Sequence, residues 1–286
     1  MATKVKSKKS PGGGEGHLFA VRILEKFIGF IKGLLTGKLL DFSIKWLTLI
    51  GHIGLIVAAV LGFLFFIIAA IRVPAGAGTL ILYAIIWVIV VFVLQYTAYR
   101  FLPAGDNLIK NNPTRLASKA FLDCVGFLAM LAGIVALFYH IYLAIKLPSL
   151  SAFLTGLGMF VFLEFIALIA FNVETASMEI VGEASAGQEA IGIVTFFMKT
   201  LLRLVPIIFG LGIAVFTVIM FIDSFGLFSD TRISAALASG TASAIMIAQF
   251  TLLPIASYIL FVLFFLIIDI IRAILAIPEK LDNLKK

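Results

Sequence analysis

Charge is scarce in this 286-residue chain. Lys, Arg, Asp and Glu together make up 13% of it, about half of the ~25% usual in soluble domains. Cysteine is nearly absent. The one thiol, Cys124, cannot supply an internal disulfide, a Cys-rich zinc site or an iron–sulfur cluster. Catalytic signatures are missing too. His17, His52 and His140 form no HExxH pair and no GxSxG elbow occurs. Residues 33–39, GLLTGKL, have one residue too few between the glycines for a phosphate loop. Leu39 also stands where Ser or Thr must hold magnesium. His52 and His140 fall at opposite depths, which argues against shared haem ligation. These absences predict a non-enzymatic protein with no cofactor and no metal.

What abounds is apolar. Hydrophobic residues make up 62% of the chain, with 28 Phe, 24 Gly and a mean hydropathy of +1.18. A water-soluble fold of this size could not hide so much apolar side chain, so most of its surface faces lipid. That excludes a soluble enzyme, a nucleic-acid-binding domain and a disordered chain. The net charge of +7 is then first a signal of membrane orientation.

Three regions are expected. Residues 1–17 form a flexible basic tail, with Lys4, Lys6, Lys8 and Lys9 ahead of Pro11 and a triple glycine. The Gly-rich linker separates the charges from any apolar core, so no cleaved signal is expected. Residues 18–45 hold an amphipathic helix and a connector. On a helical wheel of residues 18–36, Arg22, Glu25, Lys26 and Lys32 fall on one narrow arc and apolar side chains fill the rest, Leu18 excepted. This pattern predicts an interfacial helix whose basic face, Arg22, Lys26 and Lys32, meets anionic headgroups. Gly33, Gly37 and Asp41 predict a break before the first span.

Residues 46–286 hold six spans, at about 46–71, 79–99, 120–145, 150–172, 201–222 and 244–268, each near the ~20 residues a bilayer needs. Nineteen of the 22 Lys and Arg fall on one side, leaving only Arg72, Lys146 and Arg232 on the other. The positive-inside rule places both termini in the cytoplasm. The short outer turns at 72–78 and 146–149 predict antiparallel neighbours. Residues 223–243 are the one stretch long enough for a larger outer feature. The expected architecture is all-α, six transmembrane helices in three hairpins, with an N-terminal amphipathic helix. Amphipathic stretches before spans one and five (187–200), and Gly-Thr pairs at 78–79 and 240–241, raise the idea of a parallel duplication around the central hairpin.

Ionisable groups within spans are costly and mark function or interhelical bonding. Glu164 is the deepest. His52, Gln95, Asp123 and Gln249 are the other candidates for an intramembrane polar or ion site. The plainer expectation has Asp123 snorkelling to headgroups and both glutamines bonding between helices. The cytosolic loop 174–198 is acidic, with Glu174, Glu179, Glu183 and Glu189 ahead of Lys199. It reads as a solvated helix continuing span four, or as a dock for a basic partner or for the chain's own tail.

Two functions remain in play. One is an assembly or scaffold subunit of a membrane complex, with homo-oligomer or complex partners. The other is a small channel or transporter with a cytosol-facing polar vestibule around Glu164. Convergence of His52, Gln95, Asp123 and Glu164 on one cavity would favour transport; scatter would favour the scaffold. The positive-inside bias and lack of cleavable targeting point to a bacterial inner membrane or a compartment derived from it.

Overall fold

The computed structural model of the chain describes residues 19–147, 150–182 and 184–284. The basic tail, Glu183 and the last two lysines lie outside them. The expected all-α membrane architecture holds. Seven helices run along the described residues: α1 (Phe19–Leu34), α2 (Gly37–Arg72), α3 (Ala77–Asn111), α4 (Lys119–Lys146), α5 (Leu150–Phe171), α6 (Ala186–Gly226) and α7 (Ile233–Leu284). Six of them, α2 to α7, are long and apolar enough to cross a membrane, so the protein is an integral multi-pass membrane protein in contact with the bilayer.

Helices dominate because lipid offers backbone groups no hydrogen-bond partner. Local chemistry sets the ends. Ser118 caps α4 by accepting from the Phe121 N–H at 3.1 Å. Ser185 and Gln188 form a reciprocal capping box at the start of α6. The break between α1 and α2 falls at residues 35–36, between Gly33 and Gly37. The connector is therefore helical, and α2 runs for 36 residues. Gly37 is needed there, because a Cβ at that position would stand 2.9 Å from the Thr175 methyl.

Four helices form the main bundle. Helix α2 packs against α3 and α6, and α7 packs against α6 and α3. The two hairpins read as repeat units thus lie helix on corresponding helix. In a bilayer such contacts rest on close packing and polar bonds rather than on escape from water. Gly51 of α2 receives the Phe209 ring, while Gly210 of α6 lies against the Leu47 carbonyl. Gly62 receives the Trp87 indole from α3, whose Nε1–H donates to the Ala58 carbonyl at 2.9 Å. Phe65, Phe209, Ile213 and Phe261 fill the centre.

The α4–α5 hairpin stands apart. Glycine and a bulky residue alternate across its seam: Gly126 against Phe171, Gly133 against Leu163 and Glu164, and Gly156 against His140. No residue of α4 or α5 belongs to the described core of the main bundle. The hairpin joins the bundle at one end, through a separate cluster that includes Leu122, Leu168 and Ile169 with Leu40, Phe196 and Leu204. That end is also where charged side chains concentrate, and it is termed the charged end below. Helix α1 leans on the hairpin through Ile31, clustered with Met130 and Ala167.

Two sequence expectations are corrected here. The acidic loop is not a continuation of span four. Helix α5 stops at Phe171, where the Asn172 amide donates to the Leu35 carbonyl at 2.7 Å and to the Leu168 carbonyl at 2.8 Å. A 3-10 turn follows, Ser177 adopts the left-handed conformation (φ 52°), and β2 (Met178–Ile180) pairs in parallel with β1 (Thr114–Leu116). The acidic residues are used internally. Glu189 accepts the Ala117 and Ser118 N–H groups at 2.7 and 2.9 Å, at the start of α4, and Glu179 faces Arg115. The outer stretch 223–243 is also no separate feature, since α6 and α7 extend into it and leave a short turn. Arg72 crosses to that turn, donating to the Leu227 carbonyl at 3.2 Å and pairing with Asp230.

Candidate functional site

The charged end of the main bundle contains a cavity of about 680 Å³ between α2, α3, α6 and α7. On α2 it is lined by Asp41, Lys45, Thr48 and His52, spaced by three or four residues and therefore on one helix face. On α3 the same spacing holds for Tyr99, Leu102, Asp106 and Lys110. Arg203 enters from α6, and Ser257 from α7.

Arg203 is the centre of the charge arrangement. Its side chain is 11% exposed, and its two terminal nitrogens pair with Asp41 on α2 and Asp106 on α3. Asp106 also holds Lys110 one turn away, at 2.6 Å. A planar guanidinium suits this double engagement, because its fork reaches two carboxylates in fixed directions. The Arg203 Nε is buried and finds no partner among the described residues.

Three prolines reach the same cavity from three helices: Pro103, Pro206 and Pro254. Each lacks the N–H that would bond the carbonyl four residues earlier. The carbonyls so released belong to Tyr99, Leu202 and Phe250, and the first two residues line the cavity.

The sequence-selected residues are distributed unevenly around this site. His52 lies in the cavity wall, its ring edge-on to Phe209 at 5.3 Å and to Tyr99 at 6.5 Å. Gln95 neighbours His52, and the His52 Nδ1 and Gln95 Oε1 are both buried without a hydrogen bond among the described residues. Asp123 is elsewhere, ion-paired with Lys32 of α1. Lys32 also sits 5.3 Å above the Phe171 ring. Glu164 lies in the α4–α5 seam beside Gly133, with Oε1 buried and unbonded among the described residues. Gln249 is exposed on α7. Lys26 is exposed on α1, and Arg22 belongs to the same helix. The cavity therefore gathers His52, with Gln95 at its side, and leaves Glu164, Asp123 and Gln249 outside.

Sequence reasoning missed Asp41, Asp106 and Arg203 as a group, and it counted Lys199 only toward orientation. Lys199 is fully buried in α6, and its Nζ donates to the Ser177 carbonyl at 2.9 Å. Among the described residues, no three His, Cys, Asp or Glu side chains cluster within reach of one metal ion.

Leu55, Trp87, Phe209 and Ile213 belong to one continuous buried cluster that extends to Met220. Compared with protein-family models, curated proteins and solved structures, the chain matches none of them.

Proposed function

We propose that this integral membrane protein is a non-enzymatic assembly or scaffold subunit of a membrane complex. The observation that carries the reading is the α4–α5 hairpin, fastened to the main bundle at its charged end and contributing nothing to that bundle's core. Beyond Gly133, the α4 residues are at most half-buried, and Val135, Phe138, Tyr139 and Tyr142 are exposed. Such a hairpin offers long free faces to a membrane helix of another chain or of a second copy. The scatter of Asp123, Glu164 and Gln249 away from His52 agrees with this reading.

A second reading is transport, favoured by the recess itself and by the three prolines around it. In that case the vestibule is centred on Arg203, Asp41, Asp106 and His52 rather than on Glu164. On either reading the charged end faces the cytoplasm, both termini lie there, and the membrane is a bacterial inner membrane or one derived from it. The basic residues of α1 then meet anionic headgroups.

The test places a photo-crosslinking residue at Phe138 on α4 and, separately, at Ile89 on α3. The scaffold reading expects one protein adduct of fixed mass from position 138 and lipid adducts from position 89. It also expects a complex in mild detergent that dissociates when Val135 and Phe138 are both replaced by Trp. Lipid adducts at both positions, with a monomer in detergent, would remove it. Solute flux into vesicles that is lost in Asp106→Asn would install transport in its place.

A further inference from the structure

A second hollow, of about 400 Å³, lies on α2 and α3 directly beyond the charged recess. It is lined by Leu55, Ala59, Val60 and Phe63 on one helix and by Val88 and Phe92 on the other, among others, and Gln95 is its one polar lining residue. The linings of the two hollows follow one another along both helices. On α2 the lining stripe passes from Asp41, Lys45, Thr48 and His52 into Ile56, Ala59 and Phe63; on α3 it passes from Lys110, Asp106 and Tyr99 into Gln95, Phe92 and Val88. Each step is three or four residues, except the seven-residue step from Asp106 to Tyr99, so each stripe stays on one helix face. The lining stripes thus continue along the same two helices from a charged head to an apolar tail.

We propose that the two hollows form one furrow that binds a phospholipid carrying a primary-ammonium zwitterionic headgroup, with the head in the recess and an acyl chain along α2 and α3. Length agrees. From His52 to Leu64 the tail runs about 18 Å at 1.5 Å per residue, close to one leaflet of a ~30 Å hydrocarbon core. Charge agrees too. The recess carries three cations, Lys45, Lys110 and Arg203, and three anions, Asp41, Asp106 and Glu174. A ligand with balanced charge suits it better than an anion. Lys45 and Glu174 have no ion pair among the described residues, which leaves one for a phosphate and one for an ammonium. Phosphate and ester oxygens are acceptors, and the Lys45 ammonium is a donor for them. The Glu174 carboxylate accepts from an ammonium that bears N–H groups, which a quaternary ammonium cannot offer. At the junction between head and tail lie His52 and Gln95, neighbours on adjacent helices, at the level of the glycerol backbone.

The full chain is reconstituted in phosphatidylcholine vesicles doped with phosphatidylethanolamine bearing a photoreactive group in one acyl chain. A parallel set carries the matching phosphatidylglycerol probe, and adducts are mapped by mass spectrometry. The site predicts adducts concentrated on residues 55–64 and 88–95, stronger with the ethanolamine probe. Val60→Trp, which fills the tail, abolishes them, while Ile89→Trp, exposed outside the furrow, leaves them intact. Glu174→Gln removes the preference between probes. If Val60→Trp does not fold, Val88→Trp blocks the tail from α3 to the same effect. Adducts spread evenly over α4, α5 and α7, or adducts that persist with the tail filled, overturn the proposal. Equal labelling by both probes overturns the headgroup assignment. Complete competition by free glycerophosphoethanolamine shows that the recess serves a soluble solute and overturns the lipid assignment.

Discussion

Lys32 on α1 is ion-paired with Asp123 on α4, although 91 residues separate them in the chain. The partners are 29% and 32% exposed, so their coupling is that of a half-screened pair. The sequence assigned Lys32 to a face for headgroups and offered Asp123 either the headgroup level or a polar vestibule. Each residue instead satisfies the other, and α1 is held against the hairpin. Lys32→Asp is expected to detach α1, seen as faster proteolysis between residues 25 and 40. The reciprocal Asp123→Lys in the same chain should restore protection. A double-mutant cycle should give a coupling of about 0.3–1 kcal/mol.

Arg203 joins α2, α3 and α6 through Asp41 and Asp106. Arg203→Met leaves two carboxylates facing a recess without their common cation. Its loss is expected to cost about 2 kcal/mol, below the range for fully buried pairs because Asp41 and Asp106 are partly exposed. Arg203→Lys should recover less than half, since a point charge cannot engage both acceptors in fixed directions. Thermal unfolding in detergent measures both; a wild-type midpoint for Arg203→Met would show that the clip is idle.

Glu164 faces Gly133 across the hairpin seam. As an interhelical hydrogen-bonding group, it should tolerate Glu164→Gln, which keeps shape and bonding capacity. Glu164→Leu should loosen the seam. Abundance and complex formation are the readouts, and a folded, assembled Glu164→Gln protein with no activity in the cell would assign the carboxylate a titrating role.

Two glycines of α5 are expected to differ sharply. A side chain at Gly156 collides with His140, whereas Gly158 has open space. Gly156→Val should separate α4 from α5, detectable as lost cross-linking between cysteines placed at the hairpin tip. Gly158→Val should be close to neutral, within about 0.5 kcal/mol as for other surface changes. Equal effects at both positions would contradict the seam.

Orientation is tested at the C-terminus. A reporter active only outside the cytoplasm, fused after Lys286, should stay silent, and the same reporter in the α4–α5 turn should be active. The reverse pattern would invert the assignment of the charged end.

The spans were legible because lipid leaves no alternative to long apolar helices, and the break ahead of α2 was legible through Gly33, Gly37 and Asp41. Polar contacts were less accessible. Hydropathy supplies the depth of a residue and not its direction around the helix axis. His52 and Gln95 share a depth on adjacent helices, and they are neighbours. Asp123 was grouped with them by depth, yet it belongs to the other hairpin. Arg203, Asp41 and Asp106 sit at span ends, where charges are usual, so nothing in their spacing announced a shared recess. The paired strands β1 and β2 are three residues each, too short for an alternating pattern. The fully buried Lys199 read as an ordinary flanking cation, because its acceptor, the Ser177 carbonyl, exists only once that turn is left-handed.

The interleaving of hairpin and bundle sets a timetable for biogenesis. Helices α2 and α3 leave the ribosome first, but the α6 surface that Gly51 fits is made only after the whole α4–α5 hairpin. At about 5–20 residues per second, the interval from the end of α3 to the end of α6 lasts between roughly 6 and 23 s. Throughout it, the notch at Gly51 and the carboxylates of Asp41 and Asp106 stand without their partners from α6. The newborn first hairpin is thus a waiting intermediate exposed to the insertion machinery, and pausing translation within residues 119–176 should lengthen its vulnerability to membrane proteases.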